Sequence, residues 1–547
     1  MKIPYPFDPV RTTRRARRRA LSLAVSTALL GGFAVSTPAQ AFPPVIQLSA
    51  LDGTNGFKLN GEVAGDFSGN SVATAGDVNN DGLDDLIVGA YRADPNGSYS
   101  GRSYVVFGKT GGFTSPLQLS SLDGTNGFKF DGEVANDRSG FSVATAGDVN
   151  GDGIDDLIVG APSAVPNGVN SGRSYVVFGR SSGFTSPLQL SALDGSNGFM
   201  LDGENVGDRS GFSVSAAGDL NNDGIDDLVV GARLADSNGN ADSGRSYVVF
   251  GQSTGFTSPL QLSALNGTNG FQIDGEAAGD LSGYSVAAAG DVNGDGRGDL
   301  IIGANLADPN GANSGRSYVV FGKTGGFTSP LPLSSLDGTN GFKLDGEVSN
   351  DRSGTSVAPA GDVNGDGLAD LIVGAPQASP NVASSGRSYV VFGRSSGFPA
   401  ALPLSALDGT NGFKLDGEAA FDFSGYSLAA AGDVNGDGLD DLIVGALGAD
   451  ANGGNSGRSY VVFGRSTGFT SPLSLSALDG GNGFKLDGEA VVDFSGRSVA
   501  SAGDVNGDGL SDLIIGARYA DPNGSASGRS YVVFGSDRLF TDGFESP

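Results

Sequence analysis

From Val45 onward the chain alternates short apolar runs with clusters of Gly, Asn, Asp, Ser and Pro, and no stretch keeps a helical period. One stretch shows the pattern. Ser142 to Ala146 alternates apolar and polar positions, which predicts a strand with one buried face. Asp156-Leu-Ile-Val-Gly160 is a continuous apolar run, as expected of a strand buried on both faces. Ser174 to Phe178 is a second such run, and Gly198 to Asp202 predicts a fourth strand.

This pattern recurs. Anchored on the Asp of a Gly-Asp-Val/Leu-Asn step, the unit appears at Asp77, Asp148, Asp219, Asp291, Asp362, Asp433 and Asp504, spaced by 71 or 72 residues. The segments LSxL(D/N)G and SGRSYVVFG return the same count of seven. Four short antiparallel strands used seven times predict an all-β fold, a seven-bladed β-propeller of four-stranded blades, because closure into a ring protects every sheet edge. An open solenoid would need atypical caps at both ends. Here the ends are complementary: GFKLNG (Gly56 to Gly61) precedes the first three-strand core, and the last SYVVFG (Ser530 to Gly535) has no such segment after it. The N-terminal strand is therefore expected to complete the seventh blade and close the ring. The propeller is assigned to residues 42–535, after a leader at 1–41 and before a tail at 536–547.

Each unit also carries D-x-N-x-D-G-x-x-D. Oxygen donors at positions 1, 3, 5 and 9, a backbone carbonyl at 7 and a Gly at the turn are what a calcium loop requires. The first loop supplies Asp77, Asn79, Asp81, the carbonyl of Leu83, and Asp85. The next supply Asp148, Asn150, Asp152, Ile154 and Asp156, then Asp219, Asn221, Asp223, Ile225 and Asp227. The fourth has Asp291, Asn293, Asp295, Arg297 and Asp299, and the fifth Asp362, Asn364, Asp366, Leu368 and Asp370. The last two are Asp433, Asn435, Asp437, Leu439 and Asp441, and Asp504, Asn506, Asp508, Leu510 and Asp512. The bidentate Glu of a helix-flanked calcium loop is replaced at position 12 by Val or Ile, so the loop is expected to join two strands. About seven structural Ca2+ ions per chain are expected.

SGxSVAxAGDVNxDGxxDLIVGA followed by SGRSYVVFG resembles the FG-GAP repeat, the blade of the integrin α-subunit propeller and of its bacterial relatives. The resemblance implies a seven-bladed ring, calcium between the first two strands of a blade, an outer strand shared across the closure, and a role in adhesion or ligand binding. The sequence departs from the animal integrins in carrying metal loops in all seven units and no inserted ligand-binding domain, leg domain or membrane span, which leaves heterodimeric signalling unsupported.

Composition narrows the chemistry. The chain has 547 residues with no Cys, His or Trp, which excludes disulfides, thiolate nucleophiles, His-ligated zinc and Ser-His-Asp catalysis. Six Arg between Arg11 and Arg19, an apolar run from Ala20 to Ala34 and Ala39-Gln40-Ala41 read as a removable export signal, with Arg14-Arg15 hinting at a twin-arginine route. Its removal takes seven of 33 basic and one of 61 acidic residues, leaving 26 against 60, a net charge of −34. Such a surface repels nucleic acid and anionic lipid and attracts cations. A secreted, extracellular or cell-surface monomeric ring with no membrane span is expected.

Other repeated polar residues read as scaffold. The Arg of each SGRSYVVFG and the Glu after each DG or NG are expected to pair between strands, and Arg297-Gly298-Asp299 is committed to the fourth loop despite spelling an integrin-recognition tripeptide. The units differ on the face opposite the metal loops. The position before SVA reads Asn70, Phe141, Phe212, Tyr284, Thr355, Tyr426 and Arg497, and a neighbouring one Phe67, Arg138, Arg209, Leu281, Arg352, Phe423 and Phe494. Aromatic and Arg side chains are common binding anchors, so Phe141, Phe212, Tyr284, Tyr426 and Arg497 are the ligand-face candidates, with packing between blades as the alternative. The leading functional expectation is a non-enzymatic adhesion or ligand-binding module for an extracellular protein or glycan. A calcium-dependent enzyme, polysaccharide lyase or phospholipase-like, and a structural surface protein are the competing classes.

Overall fold

The computed structural model describes residues 42–536; the expected export signal and nearly all of the tail lie outside the described residues. These residues form seven sheets and no α-helix, only short 3-10 turns at the LSA and LSS segments. The sevenfold ring expected from the repeat is therefore present. Its blades have five strands, not four.

In the first blade Ser71–Gly76 is innermost, followed outward by Asp85–Ala90, Arg102–Val106 and Gly127–Asp131, all antiparallel. The fifth strand is Leu188–Gln189, which runs parallel to Gly127–Asp131 with Leu188 opposite Phe130. It comes from the following unit: each chain segment touches the edge of the preceding blade before returning to its own. Two residues carry no readable strand pattern, which is why four strands were expected. The covered edge leaves no long unpaired strand exposed.

The ring is latched twice. Gly56–Asn60 pairs antiparallel with Arg529–Val533 and completes the seventh blade, as expected. Val45–Gln47 additionally pairs parallel with Gly483–Asp487 and supplies the fifth strand of the sixth blade.

Blades pack face to face, and this explains the continuous apolar runs. All six residues of Asp85–Ala90 are buried; Leu86, Val88 and Ala90 pack against Val505, Ile514 and Val532 of the seventh blade, while Ile87 faces the second. Burial on both faces removes the polar alternation that one solvated face would impose. The Gly inside each run has a steric reason. A Cβ on Gly303 would lie 2.1 Å from the carbonyl oxygen of Gly354 in the next blade, and one on Gly516 would lie 2.1 Å from that of Gly69, so the closing junction repeats the others. The innermost strands encircle the axis and are tied by side chains: Val143 N–H donates to Ser71 Oγ at 3.1 Å, and Val72 N–H to Ser498 Oγ at 3.0 Å across the closure.

Candidate functional site

Each innermost strand ends in a register shift, such as that between Thr74 and Gly76, and the irregularity turns the chain into the Asp-rich loop. The turn needs left-handed backbone at two positions. Asn80 has φ 59° and Gly82 φ 92°, and Gly fills the first of these positions in five other loops, for example Gly151 at 74°. Side chains then fold inward. Asp77 accepts from the N–H groups of Asp81 at 3.0 Å and Gly82 at 2.9 Å, Asn79 Oδ1 from Asp81 N–H at 2.8 Å, and Asp81 Oδ1 from Leu83 N–H at 3.0 Å.

Asp85 is fully buried at the base of the loop, accepting from Val78 N–H at 3.2 Å and Gly108 N–H at 2.9 Å. Burial pushes its carboxyl up to about 8; the two N–H donors oppose the shift, and the charges of Asp81 and Asp77 add to it. The same holds for Asp156, Asp227, Asp370, Asp441 and Asp512, and Asp299 is pushed up to about 7. Among the described residues no three acidic side chains are gathered closely enough to form a ready metal cluster. The loops as folded are organised by backbone N–H donors, and the donor set is oxygen only. Asp299 is buried and bonded to Val292 and Gly322 N–H, and Arg297 pairs with Asp295 at 3.1 Å, so the Arg-Gly-Asp tripeptide is held within its loop.

Sequence reasoning missed the eighth loop position. Asp155 accepts from Asp77 N–H of the preceding loop at 3.0 Å, and Asp84 does the same for Asp504 at 2.8 Å, joining neighbouring loops. Asp226 and Asp440 make the same bond to Asp148 and Asp362, whereas Gly298, Ala369 and Ser511 stand at this place in the remaining three units, so the link is not sevenfold.

On the opposite face the ligand-face candidates form two groups of touching side chains. Phe141 and Phe212 have ring centroids 5.0 Å apart, Phe212 and Tyr284 5.2 Å, and Tyr91 extends the row 5.4 Å beyond Phe141. The Arg497 guanidinium lies 4.5 Å over the Tyr426 ring. All five side chains are half-buried. They touch across blades and still reach solvent, so packing and presentation coexist. The neighbouring position is left-handed in every blade although no Gly occupies it, from 53° at Phe494 to 60° at Arg138. That conformation is costly for such side chains and is imposed by the ring around it.

The FG-GAP repeat family model matches seven times, at residues 68–106, 139–177, 210–249, 282–320, 353–391, 424–462 and 495–533. The chain belongs to the FG-GAP repeat family. Integrin alpha-IIb of Mus musculus is 35% identical over 187 residues, which is 32% of this FG-GAP chain and 16% of that protein. Integrin alpha-V of Gallus gallus is 33% identical over 244 residues, 44% of this chain and 20% of the relative. The Phosphatidylinositol-glycan-specific phospholipase D of Homo sapiens is 28% identical over 424 residues, 74% of this chain and 46% of the relative. The chain thus spans less than half the length of each of these curated relatives.

The paired Arg and Glu of the FG-GAP units join blades rather than strands of one blade. Glu62, just beyond the outer strand of the seventh blade, ion-pairs with Arg102 of the first and accepts from Tyr104 Oη at 3.0 Å. Arg102 Nε meanwhile bonds Asp131 Oδ1 of its own blade at 2.7 Å. Six of these bolts use Asp, while at the closure Arg529 donates to Asn60 Oδ1 at 2.8 Å. These residues are scaffold.

Proposed function

We propose that this FG-GAP propeller is a calcium-stabilised, secreted binding module of the adhesion type, with ligand specificity on the face opposite the Asp-rich loops. The carrying observation is a contrast: the loops keep the same four side chains in all seven units, whereas the opposite face changes from blade to blade. A scaffold element repeats, and a recognition surface differentiates. Likeness to integrin α subunits supports the adhesion class, and the Arg-rich, apolar leader supports export.

Calcium fits the loops by donor chemistry. A hard divalent cation suits an all-oxygen set, and it would relieve the repulsion that Asp77 and Asp81 impose on buried Asp85. The ligands would be Asp77, Asn79, Asp81, the Leu83 carbonyl and Asp85, and their six counterparts. Bound ions supply charge neutralisation and hold each hairpin; their role is structural. Calcium titration of chelator-stripped protein is expected to give close to seven ions per chain, with a large fall in melting temperature on adding EDTA. A melting curve indifferent to chelator would sink the calcium reading while leaving the ligand-face reading to be tested separately.

A further inference from the structure

The face opposite the Asp-rich loops also holds basic side chains that the repeat pattern does not explain. Arg233 and Arg518 immediately follow the second strands of their blades, Arg497 precedes an innermost strand, and Arg352 lies at the left-handed position beside another. Among the described residues none of the four makes an ion pair within 4 Å, in a chain with a net charge of −28. All four Nε atoms are buried without a hydrogen-bond partner. Buried donors of this kind are normally satisfied.

Three of the guanidinium groups, those of Arg233, Arg497 and Arg518, lie over rings. Arg233 lies 4.2 Å over Phe212 and 5.5 Å over Tyr284, and Arg518 lies 4.9 Å over Tyr519 while donating from Nη1 to Asn70 Oδ1 at 2.9 Å. Stacking fixes the plane and leaves in-plane N–H forks as the recognition groups. The four come from three blades: Arg233 from the third, Arg352 from the fifth, and Arg497 and Arg518 from the seventh. Burial and Tyr426 push the Tyr284 phenol up, while Arg233, Arg497 and Arg352 pull it back; Arg518 is pushed down by burial and then by Arg497. Asp242 is the acidic residue that acts on Arg233.

We propose that this mouth of the ring is an oxyanion-binding site that takes a carboxylate or sulfate group of an anionic glycan, read by Arg233, Arg352, Arg497 and Arg518. The inference rests on the assignment of this face as the ligand face. A glycan is favoured over a peptide on two observations. The fourth strand of every blade is covered by a fifth, so that edge offers a peptide main chain no long strand to extend. The mouth itself supplies mainly donors, guanidinium and phenol, which suit a ligand rich in acceptor oxygens.

Binding is measured calorimetrically in calcium buffer at low and moderate salt, with oligogalacturonate, heparin oligosaccharide, a neutral dextran oligosaccharide and an oligoglutamate peptide. Wild type is compared with Arg233→Gln/Arg497→Gln and with Phe141→Ala/Phe212→Ala. Expected is binding of oligogalacturonate, heparin oligosaccharide or both, weakened about tenfold or more by the Arg pair, with an unchanged melting temperature. The two anionic probes separate carboxylate from sulfate. Binding of the acidic peptide alone overturns the glycan assignment. Dextran binding that is lost in the Phe pair and kept in the Arg pair preserves the ligand face and overturns the oxyanion site. Anionic binding insensitive to the Arg pair and abolished by chelation places recognition at the calcium loops and overturns the proposal, as does a folded wild type that binds none of the probes. Should the Arg pair fail to fold, Arg233→Lys and Arg497→Lys, which keep charge and remove the fork, carry the same comparison.

Discussion

Asp422 and its six equivalents are ionisable groups held at a cost, and replacing one by Asn is expected to stabilise the protein at neutral pH. Asp422 is 5% exposed and accepts from Ala419 N–H at 3.1 Å. Burial is the main influence pushing its carboxyl up to about 6; the Ala419 N–H opposes this and the Glu418 charge adds to it. Against an ordinary value of 3.8 that is about two units, or ~3 kcal/mol, which solvent screening trims to about 1–2 kcal/mol. Because the folded value is the higher one, the native state binds more protons between pH 3.8 and 6, and stability falls as pH rises through that window. Asn keeps an oxygen for Ala419 N–H and removes the charge. Asp422→Asn should therefore gain about 1–2 kcal/mol at pH 7.5, slightly less at pH 6 and only about a few tenths of a kcal/mol near pH 4, measured by denaturant melts in saturating calcium. Asp208 and Asp493, also pushed up to about 6, lie in other blades, so the triple variant should be close to additive. A variant that is less stable at pH 7.5, or a difference that ignores pH, would refute the argument.

Three further outcomes follow from the packing. Gly303→Ala should abolish soluble ring formation or cost several kcal/mol, since its Cβ meets the backbone oxygen of Gly354; expression and melting temperature report it. Removing residues 42–47 should expose the edge of the sixth blade at modest cost, whereas removing 42–60 also strips the fourth strand from the seventh and should leave 529–533 unprotected in hydrogen exchange. For the bolt at Glu347, whose carboxyl burial pushes up but Lys414 and Arg387 hold below the ordinary range, a double-mutant cycle of Glu347→Gln and Arg387→Met should give coupling of about 1–3 kcal/mol; coupling near zero would make the pair decorative.

What could be read in the sequence was whatever repeats locally. The 71-residue spacing, the apolar runs such as Asp156 to Gly160 and the orphan GFKLNG at Gly56 specify seven blades and the closing strand, because strand burial and turn chemistry act over a few adjacent residues. What escaped depends on which sheet a segment joins. Leu188–Gln189 is too short to carry a period, and only the ring brings it to Phe130. Glu62 and Arg102 were recognisable as partners, but the strand pattern does not state that the pair spans two blades.

The basic mouth is the extreme case of the same limit. Arg497 stood out because it replaces an aromatic at a compared position, while Arg233 and Arg518 occupy a position that reads Tyr91, Pro162, Asn305, Pro376 and Leu447 in the other units and so has no consensus to break. Each alone is an ordinary surface arginine. Closure of the ring brings the charges of Arg233, Arg352 and Arg497 to bear on the Tyr284 phenol and that of Arg497 on Arg518, so the charge density at the mouth belongs to the closed propeller and to no single blade. The proposed site needs the seventh blade in place beside the first, which ties it to Gly56–Asn60, the strand that completes that blade and closes the ring.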